Sequence, residues 1–417
     1  MKLVYKWIPR WSDVQLAILE DLSFHTTKLY NIANHLCREE GFRSYVKLEK
    51  ELKSNWHREY LHSHTYQHCL KMVEQNWLSF FAASQDCKEH PQKYKGVPQP
   101  PKYKHVTHRK NEIIFTNLAI RVHGNVMRLS LSKKMQERHQ VESFDVVFTP
   151  DNMPVDVTNL QQIRIQWRHS LRSWEVVMIY KQEDQELPSS FTNVMAIDLG
   201  VNNLTAITFL EGEESYLMNG RPLKSKNSYY NKEIARLTSI AMKQSGKSEE
   251  FIRTNRIRSL QGKRNRYVHN FLHQASRKIV NFALQHQCHT IVIGDMKDIK
   301  QENPCKMFVQ IPHARLVDLI TYKAKLLGIK VAKQNEAFTS GCSALDEEKI
   351  SKKFYDPKRR IQRGLFVSQS GQKVNADVNG SLNILRKYLN GKGSPTLIQS
   401  VRDNGCLKHP KRICVAS

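Results

Sequence analysis

Three observations predict a chain that is α/β in its C-terminal half, with β and α parts before it. Apolar residues keep helical spacing up to about residue 82, alternate strand-like between about 112 and 180, and form solid runs after 190. The run from Asn193 to Asp198 ends in an acid and precedes two further strand-like segments and then alternating strands and helices. The 417 residues carry 65 Lys and Arg against 39 Asp and Glu, a net charge of +26, which favours a polyanionic partner.

In order, Leu3, Tyr5 and Trp7 alternate up to Pro9 and predict a short strand. Ser12 with Gln15 is a candidate capping box ahead of a helical stripe of Ile18, Leu22, Leu29, Ile32, Ala33 and Leu36. Ser63 is a candidate cap for a second stripe, Tyr66, Leu70, Val73, Trp77 and Phe80 or Phe81, whose spacing favours core packing over base stacking. Residues 88 to 110 hold four prolines and seven Lys or Arg against one Glu, which excludes a regular helix and predicts a basic linker. Ile120 to Leu131 reads as a hairpin about His123-Gly124-Asn125, and Ile163 to Tyr180 as another strand pair. The middle portion therefore reads as a small β-barrel, with the helical block inserted after its first strand.

Beyond 190, the strands Asn193 to Asp198, Leu204 to Leu210 and Tyr216 to Met218 lead into a basic helical region. That region ends in an amphipathic helix with Val268, Phe271, Leu272, Ala275, Ile279, Phe282 and Ala283 on one face. Thr290 to Ile293 is a strand, Leu316 to Leu327 a helix, Ile329 to Ala332 a strand and Ser381 to Tyr388 a last helix. Three strands followed by alternating strand and helix is the element order of an RNase H-like fold.

The eight cysteines, at 37, 69, 87, 288, 305, 342, 406 and 414, contain no C-x-x-C pair, so spacing encodes neither a zinc ribbon nor a disulfide framework. No run of 18 apolar residues and no signal-peptide pattern is present, so a cytosolic protein without a membrane partner is expected. No P-loop appears, which removes NTP hydrolysis.

Two-metal phosphodiester cleavage needs carboxylates converging on ions about 3.5–4 Å apart, and Mg²⁺ prefers oxygen ligands. In an RNase H-like sheet the first strand is central, which aims Asp198 in Ala196-Ile197-Asp198-Leu199-Gly200 into the crevice; read alone, an Asp before Gly is as well explained as a turn residue. Asp377 opens the last helix, where the helix dipole alone could account for an acid.

The segment Asp198-Leu199-Gly200-Val201-Asn202-Asn203-Leu204, the distant Arg363-Gly364-Leu365 and the run Asn375 to Ile384 together resemble the TnpB family, RNA-guided nucleases of insertion sequences related to type V CRISPR effectors. The resemblance implies a RuvC-like nuclease domain (189–337 and 375–390) behind a wedge-type β-barrel (1–10 and 106–188). From its residues, beginning Gly391-Lys392-Gly393-Ser394-Pro395, the segment 391–417 is expected to be a mobile basic tail. On the resemblance, a helical recognition lobe would be inserted at 11–105 and a target-nucleic-acid-binding loop would lie at 338–374. It also implies two Mg²⁺ ions, a structured guide RNA and a double-stranded DNA target beside a short flanking motif. A bacterial, nucleoid-associated setting follows, with a monomer as the simpler state.

Two departures from the family matter. The strand carrying Ile291 to Ile293 is followed in family members by the middle catalytic Glu, whereas Gly294-Asp295 stands here. Glu336, just after the next strand, is the candidate replacement, in line with a branch of the family that moves the acid there. Asp295 is disfavoured because one step along a strand reverses the face it points from. The expected site is therefore Asp198, Glu336 and Asp377. The second departure is the loop before the last helix, which holds only Cys342 where the family carries two C-x-x-C pairs; a zinc-free loop is expected.

Eight Lys or Arg and no acid fall between 251 and 280, among them Arg253, Arg256, Arg258, Lys263, Arg264 and Arg266. A solvated helix face mixes signs, so this run is a candidate duplex-binding surface. Lys102, Lys104, Arg109 and Lys110 in the linker, and Lys358, Arg359, Arg360 and Arg363 in the loop, are further candidates for phosphate contact. His64 with His68 and His269 with His273 have helical metal-clamp spacing without a companion Glu, and read as packing or phosphate contacts. Besides an RNA-guided DNA endonuclease, two readings stay open: a nuclease-dead guided DNA-binding repressor and a minimal type V CRISPR-like effector.

Overall fold

The computed structural model describes residues 1–107, 110–148, 159–169, 171–246, 254–295, 311–362, 364–390, 395–398 and 410–415. The chain divides into two compact units, Met1–Gln182 and Glu183–Ser417.

In the first unit, β1 (Lys2–Trp7) is followed by α1 (Asp13–Glu39), α2 (Tyr45–Glu51) and α3 (Ser63–Glu89). Then come β2 (Ile113–Thr116), β3 (Ile120–His123), β4 (Val126–Leu129), α4 (Lys133–His139), β5 (Phe144–Val147), β6 (Leu160–Arg168) and β7 (Ser173–Lys181). The strands form two sheets, ordered β1-β7-β6-β2 and β3-β4-β5, with every pairing antiparallel. β1 joins β7 across the whole intervening sequence, so the two long helices α1 and α3, with the short α2 between them, are inserted between sheet partners. Strands and helices share one core, in which Leu22, Leu29 and Tyr30 of α1 and Leu70 and Val73 of α3 lie with Trp174, Val176 and Met178 of β7.

Local chemistry accounts for these ends. The Ser12–Gln15 capping box is formed in both directions. α3 is capped one residue earlier than expected, because the His62 ring rather than the Ser63 hydroxyl accepts the His64 amide. Gly124 takes φ +57° in the β3–β4 turn, a conformation glycine adopts without a Cβ penalty. The proline-rich linker is strapped along α1: Asn31 exchanges two hydrogen bonds with the Lys104 backbone, and Asn34 and Arg38 donate to the Pro101 carbonyl.

The second unit contains β8 (Asn193–Leu199), β9 (Asn203–Phe209), β10 (Tyr216–Asn219), α5 (Arg221–Ser245), α6 (Asn255–Gln285), β11 (Cys288–Asp295), α7 (His313–Leu326) and β12 (Lys330–Asn335). These are followed by β13 (Leu365–Val367), β14 (Lys373–Asn375), α8 (Ala376–Leu389) and β15 (Lys411–Ile413). The main sheet runs β12-β11-β8-β9-β10-β15. β8, β9 and β10 form an antiparallel meander, and β11 and β12 run parallel to β8. β8 is therefore interior and apolar on both faces, as a strand covered on both sides must be.

The two faces separate by the period of two. Met195, Ile197, Ile291 and Ile293 pack with Leu272 and Ile279 of α6 and Leu316 and Ile320 of α7. Val194, Ala196 and Val292 on the other face pack with Ile384, Leu385 and Leu389 of α8. The tail departs from the expectation of a mobile extension. Lys411–Ile413 pairs parallel with the edge of β10, and Leu397, Ile398 and Val415 are buried, because this edge and its flanks offered unpaired backbone and apolar surface. No helix among the described residues is long and apolar enough to cross a membrane.

Candidate active site

Asp198 stands near the end of β8, where Ile197 pairs with Ile293 of β11. Register continues the same parity to position 294, and Gly294 pairs with Gln334 of β12. Positions 198, 294, 334 and 336 thus share the face covered by α8, whereas 295 falls on the parity of Ile293 and the α6–α7 face. A Cβ at Gly294 would lie 2.7 Å from Cδ and 2.8 Å from Cγ of Glu336, and closer still to Oε1. The Glu336 carboxylate therefore occupies the space that a side chain at 294 would fill. A Cβ at Gly380 would lie 2.7 Å from Asp198 Oδ2, so this second glycine lets α8 approach the acid.

Asp377 sits in the first turn of α8, whose N-cap Asn375 accepts from the amides of Asp377 and Val378. Asn203 Nδ2 donates to Asp377 Oδ2 at 2.7 Å, and Arg360 Nη2 donates to Oδ1 at 3.2 Å. Asn203 carried no assignment from sequence; its signal was its place in the Asp198 to Leu204 run, where it opens β9 beside Asp198.

The electrostatics are those of crowded acids. Burial pushes the Asp198 carboxyl well above the usual carboxylate range, Glu336 and Asp377 push it further, and Arg360 opposes them. Burial, with Asp295 adding, raises Glu336 to about 7. Glu336 Oε1 is buried and, among the described residues, has no hydrogen-bond partner. Buried carboxylate oxygens facing further carboxylates fit a hard divalent cation. Among the described residues no three acidic, His or Cys side chains form a ready-made cation cage, and Asp377 is engaged by Arg360 and Asn203.

The predicted cations fall into two groups. Arg256, Arg258, Lys263 and Arg266 of α6, Lys102 and Lys358 are exposed. Arg264 instead donates to Asn227 of α5, and Arg359 is bound to Glu348. Lys104 is not the surface cation expected: its ammonium turns inward to Asn111 and stands 4.1 Å from the Tyr30 ring centre, and burial lowers its pKa. Lys110 is likewise folded over Trp167 and Trp174 and bound to Glu20. Aromatic faces and buried carbonyl groups capture these long side chains. The His269 and His273 rings lie 4.2 Å apart, with His269 held to Arg315. Arg109, Arg253 and Arg363 lie outside the described residues.

Residues 177–300 match the family described as a probable transposase, OrfB_IS605, and residues 313–384 match the Cas12f1-like TNB domain. The TnpB-like protein ORF457 of Acidianus two-tailed virus is 28% identical over 200 residues, covering 46% of this chain and 41% of the relative. The CRISPR-associated endodeoxyribonuclease Cas12f1 of Sulfoacidibacillus thermotolerans is 26% identical over 217 residues, covering 51% of this chain and 49% of the relative. The matched stretch thus spans less than half the length of either curated relative. A solved Cas12f1–sgRNA–target DNA complex has a similar protein fold, with TM-score 0.54 and 14% identity over 90% of this chain and 83% of that one. The resemblance carried by the Asp198 and Asp377 motifs is thus shown by comparison: in sequence the chain is similar to TnpB-like and Cas12f1 proteins, through a segment matching the probable-transposase family followed by one matching the Cas12f1-like TNB domain.

Proposed function

We propose that the chain is an RNA-guided DNA endonuclease of TnpB type, with an RNase H-like, RuvC-type second unit and a wedge-type first unit bearing an inserted helical lobe. The observation that carries the reading is the Glu336 carboxylate lodged over Gly294 on the face of the sheet that presents Asp198. It would supply the middle acid, which β11 does not present on this face, since Asp295 at the end of that strand falls on the opposite parity.

Asp198, Glu336 and Asp377 would hold the divalent metal, Mg²⁺ by its preference for carboxylate oxygen. When bound, such metal activates water and stabilises the leaving oxygen of a phosphodiester. The chain's own groups do the rest. Asn203 orients Asp377, Gly294 and Gly380 leave room for the two buried carboxylates, and Arg360 neutralises part of the acid cluster before metal enters. The exposed cations of α6, with Lys102 and Lys358, would take backbone phosphates of the guide RNA and its DNA partner. Sequence would then be read by base pairing and the protein would read a short flanking motif. The relatives named as an endodeoxyribonuclease and as an sgRNA–target DNA complex support the same class of partner.

The test is to purify the chain with its bound RNA, sequence that RNA, and offer DNA matching the guide with Mg²⁺. Cleavage by wild type and its loss in Asp198→Ala, Glu336→Ala and Asp377→Ala is expected. Guided binding without cleavage by folded wild type would replace this reading with a nuclease-dead repressor.

A further inference from the structure

The segment from Glu336 to Gln362 contains no strand and only two short 3₁₀ turns, and its own turn hydrogen bonds, such as Cys342 N to Phe338 O and Asp356 N to Gly341 O, satisfy part of its backbone. One face of α8 supplies further partners. Asn379 donates to the Cys342 carbonyl at 2.9 Å and accepts the Ala344 amide at 2.9 Å. One turn on, Asn383 donates to the Thr339 carbonyl at 2.9 Å and to the Cys342 carbonyl at 2.8 Å. Arg386 then donates to the Asn383 side-chain oxygen and to the Glu348 carbonyl. Thr339, in turn, donates both its amide and its hydroxyl to the Glu336 carbonyl. A continuous chain of hydrogen bonds therefore joins the helix that presents Asp377 to the residue that presents Glu336.

Asn379 and Asn383 are both 0% exposed. A buried amide in a helix interior is unfavourable unless every polar atom is matched, and here each amide oxygen and nitrogen is. Spacing of four and three residues puts all three side chains on one face of α8, so a single rigid element holds both acids. Their use is not explained by helix formation or by apolar packing.

We propose that Asn379, Asn383 and Arg386 are positioning residues that lock the segment bearing Glu336 onto the helix bearing Asp377, and so set the metal affinity of the three-carboxylate site. This rests on the proposal that these acids bind divalent metal. Groups that orient metal ligands without touching the metal govern affinity by about 10–100-fold when removed.

The experiment measures Mn²⁺ binding by calorimetry on the full chain with its co-purified RNA and no DNA, alongside thermal melting and Mg²⁺-dependent DNA cleavage. Arg386→Leu, on the half-buried rim, and Asn383→Leu, in the interior, are each combined with Glu336→Gln. Each single variant that melts above the assay temperature is expected to bind Mn²⁺ about tenfold more weakly. In the Glu336→Gln background the same change is expected to add nothing, because the lock acts through that carboxylate. Unchanged Mn²⁺ affinity in folded Arg386→Leu overturns the proposal, as does an equal loss with and without Glu336. If Asn383→Leu does not fold, Arg386→Leu decides alone. Wild type that binds Mn²⁺ without cutting DNA overturns the nuclease reading and leaves this inference to the binding data; wild type that cuts while the variants keep full Mn²⁺ affinity does the reverse.

Discussion

Gly294→Ala is the smallest change that attacks the arrangement on which the site depends. The new Cβ would lie 2.7 Å from Glu336 Cδ and 2.8 Å from Cγ, and closer to Oε1, where ordinary contacts begin at 3.4 Å. Relief requires the carboxylate to move by about 1 Å, a displacement that costs a catalytic site on the order of 10²-fold. The obstacle is the end of a flexible side chain rather than backbone, so stability should fall by no more than about 1 kcal/mol. Expected, then, is a folded protein with a near-normal melting midpoint and Mg²⁺-dependent cleavage lowered by about two orders of magnitude. The assay is single-turnover cleavage of guide-matched DNA beside a thermal melt of the same preparation. A companion variant separates space from charge. Gly294→Glu combined with Glu336→Ala returns a carboxylate to the vacated space from the neighbouring strand, and should cleave faster than either Gly294→Ala or Glu336→Ala. Wild-type cleavage by Gly294→Ala would refute the reasoning, since it would mean that the position of Glu336 is immaterial.

The remaining predictions concern charge and ends. A Glu336 pKa raised to about 7 means that the fold favours the protonated acid. The contribution of Glu336 to metal-free stability is then fully present below about pH 4.5 and is lost as pH rises through about 7; Glu336→Gln should gain on the order of 2 kcal/mol over wild type at pH 8 and nothing at pH 4, by denaturant melts in chelator. Mg²⁺ at 100 times its dissociation constant should stabilise wild type by about 2.7 kcal/mol and leave Asp198→Asn unmoved, read as a melting shift. Arg258→Ala and Arg266→Ala should each reduce the salt slope of nucleic-acid binding by about 1 without changing stability, whereas Lys104→Ala should lower stability and leave the slope alone. Ser12→Ala should cost about 1 kcal/mol through loss of the α1 cap, by denaturant titration.

The contrast between Lys104 and Arg258 shows what could be read in advance. Both are basic residues in basic stretches, and composition treats them alike. Arg258 stays exposed because its helix turns that position away from the α6 core, a consequence of helical period that the stripe Val268 to Ala283 already displays. Lys104 is drawn in by Tyr30 and Asn111, partners 74 and 7 residues away, of which only the fold makes neighbours. The same distinction separates the acids. Asp198 and Asp377 each stand in a local run whose strand or helix end fixes where they point. Glu336 was legible only as a candidate, because its place depends on the missing side chain at Gly294, whose register partner Gln334 lies two positions before it on the neighbouring strand. The Ser12 box needed three residues of sequence and was legible; the pairing of Lys411–Ile413 with β10 needed a sheet edge nearly 200 residues earlier and was not.

Seen through its hydrogen bonds, the site has one rigid side and one exchangeable side. Asn203 belongs to the sheet and holds Asp377 through Oδ2, and Asn379 and Asn383 hold the Glu336 segment through buried amides; neither contact needs to break for a cation to enter. Arg360 is different. It is exposed, it lies in the loop before β13, and it occupies Oδ1 of Asp377 while lowering the cost of the Asp198 charge. A divalent ion on Asp377 would supply the positive charge that Arg360 now supplies, and a freed guanidinium beside a carboxylate cluster is poised for the next anion to arrive, which in a nuclease is a phosphate. Arg360→Gln should therefore leave Mn²⁺ affinity equal or tighter, by removal of a competitor, while slowing cleavage at saturating metal. A variant that instead binds Mn²⁺ more weakly would place Arg360 with the ligand supports rather than opposite them, and the exchange of guanidinium for metal would have to be abandoned.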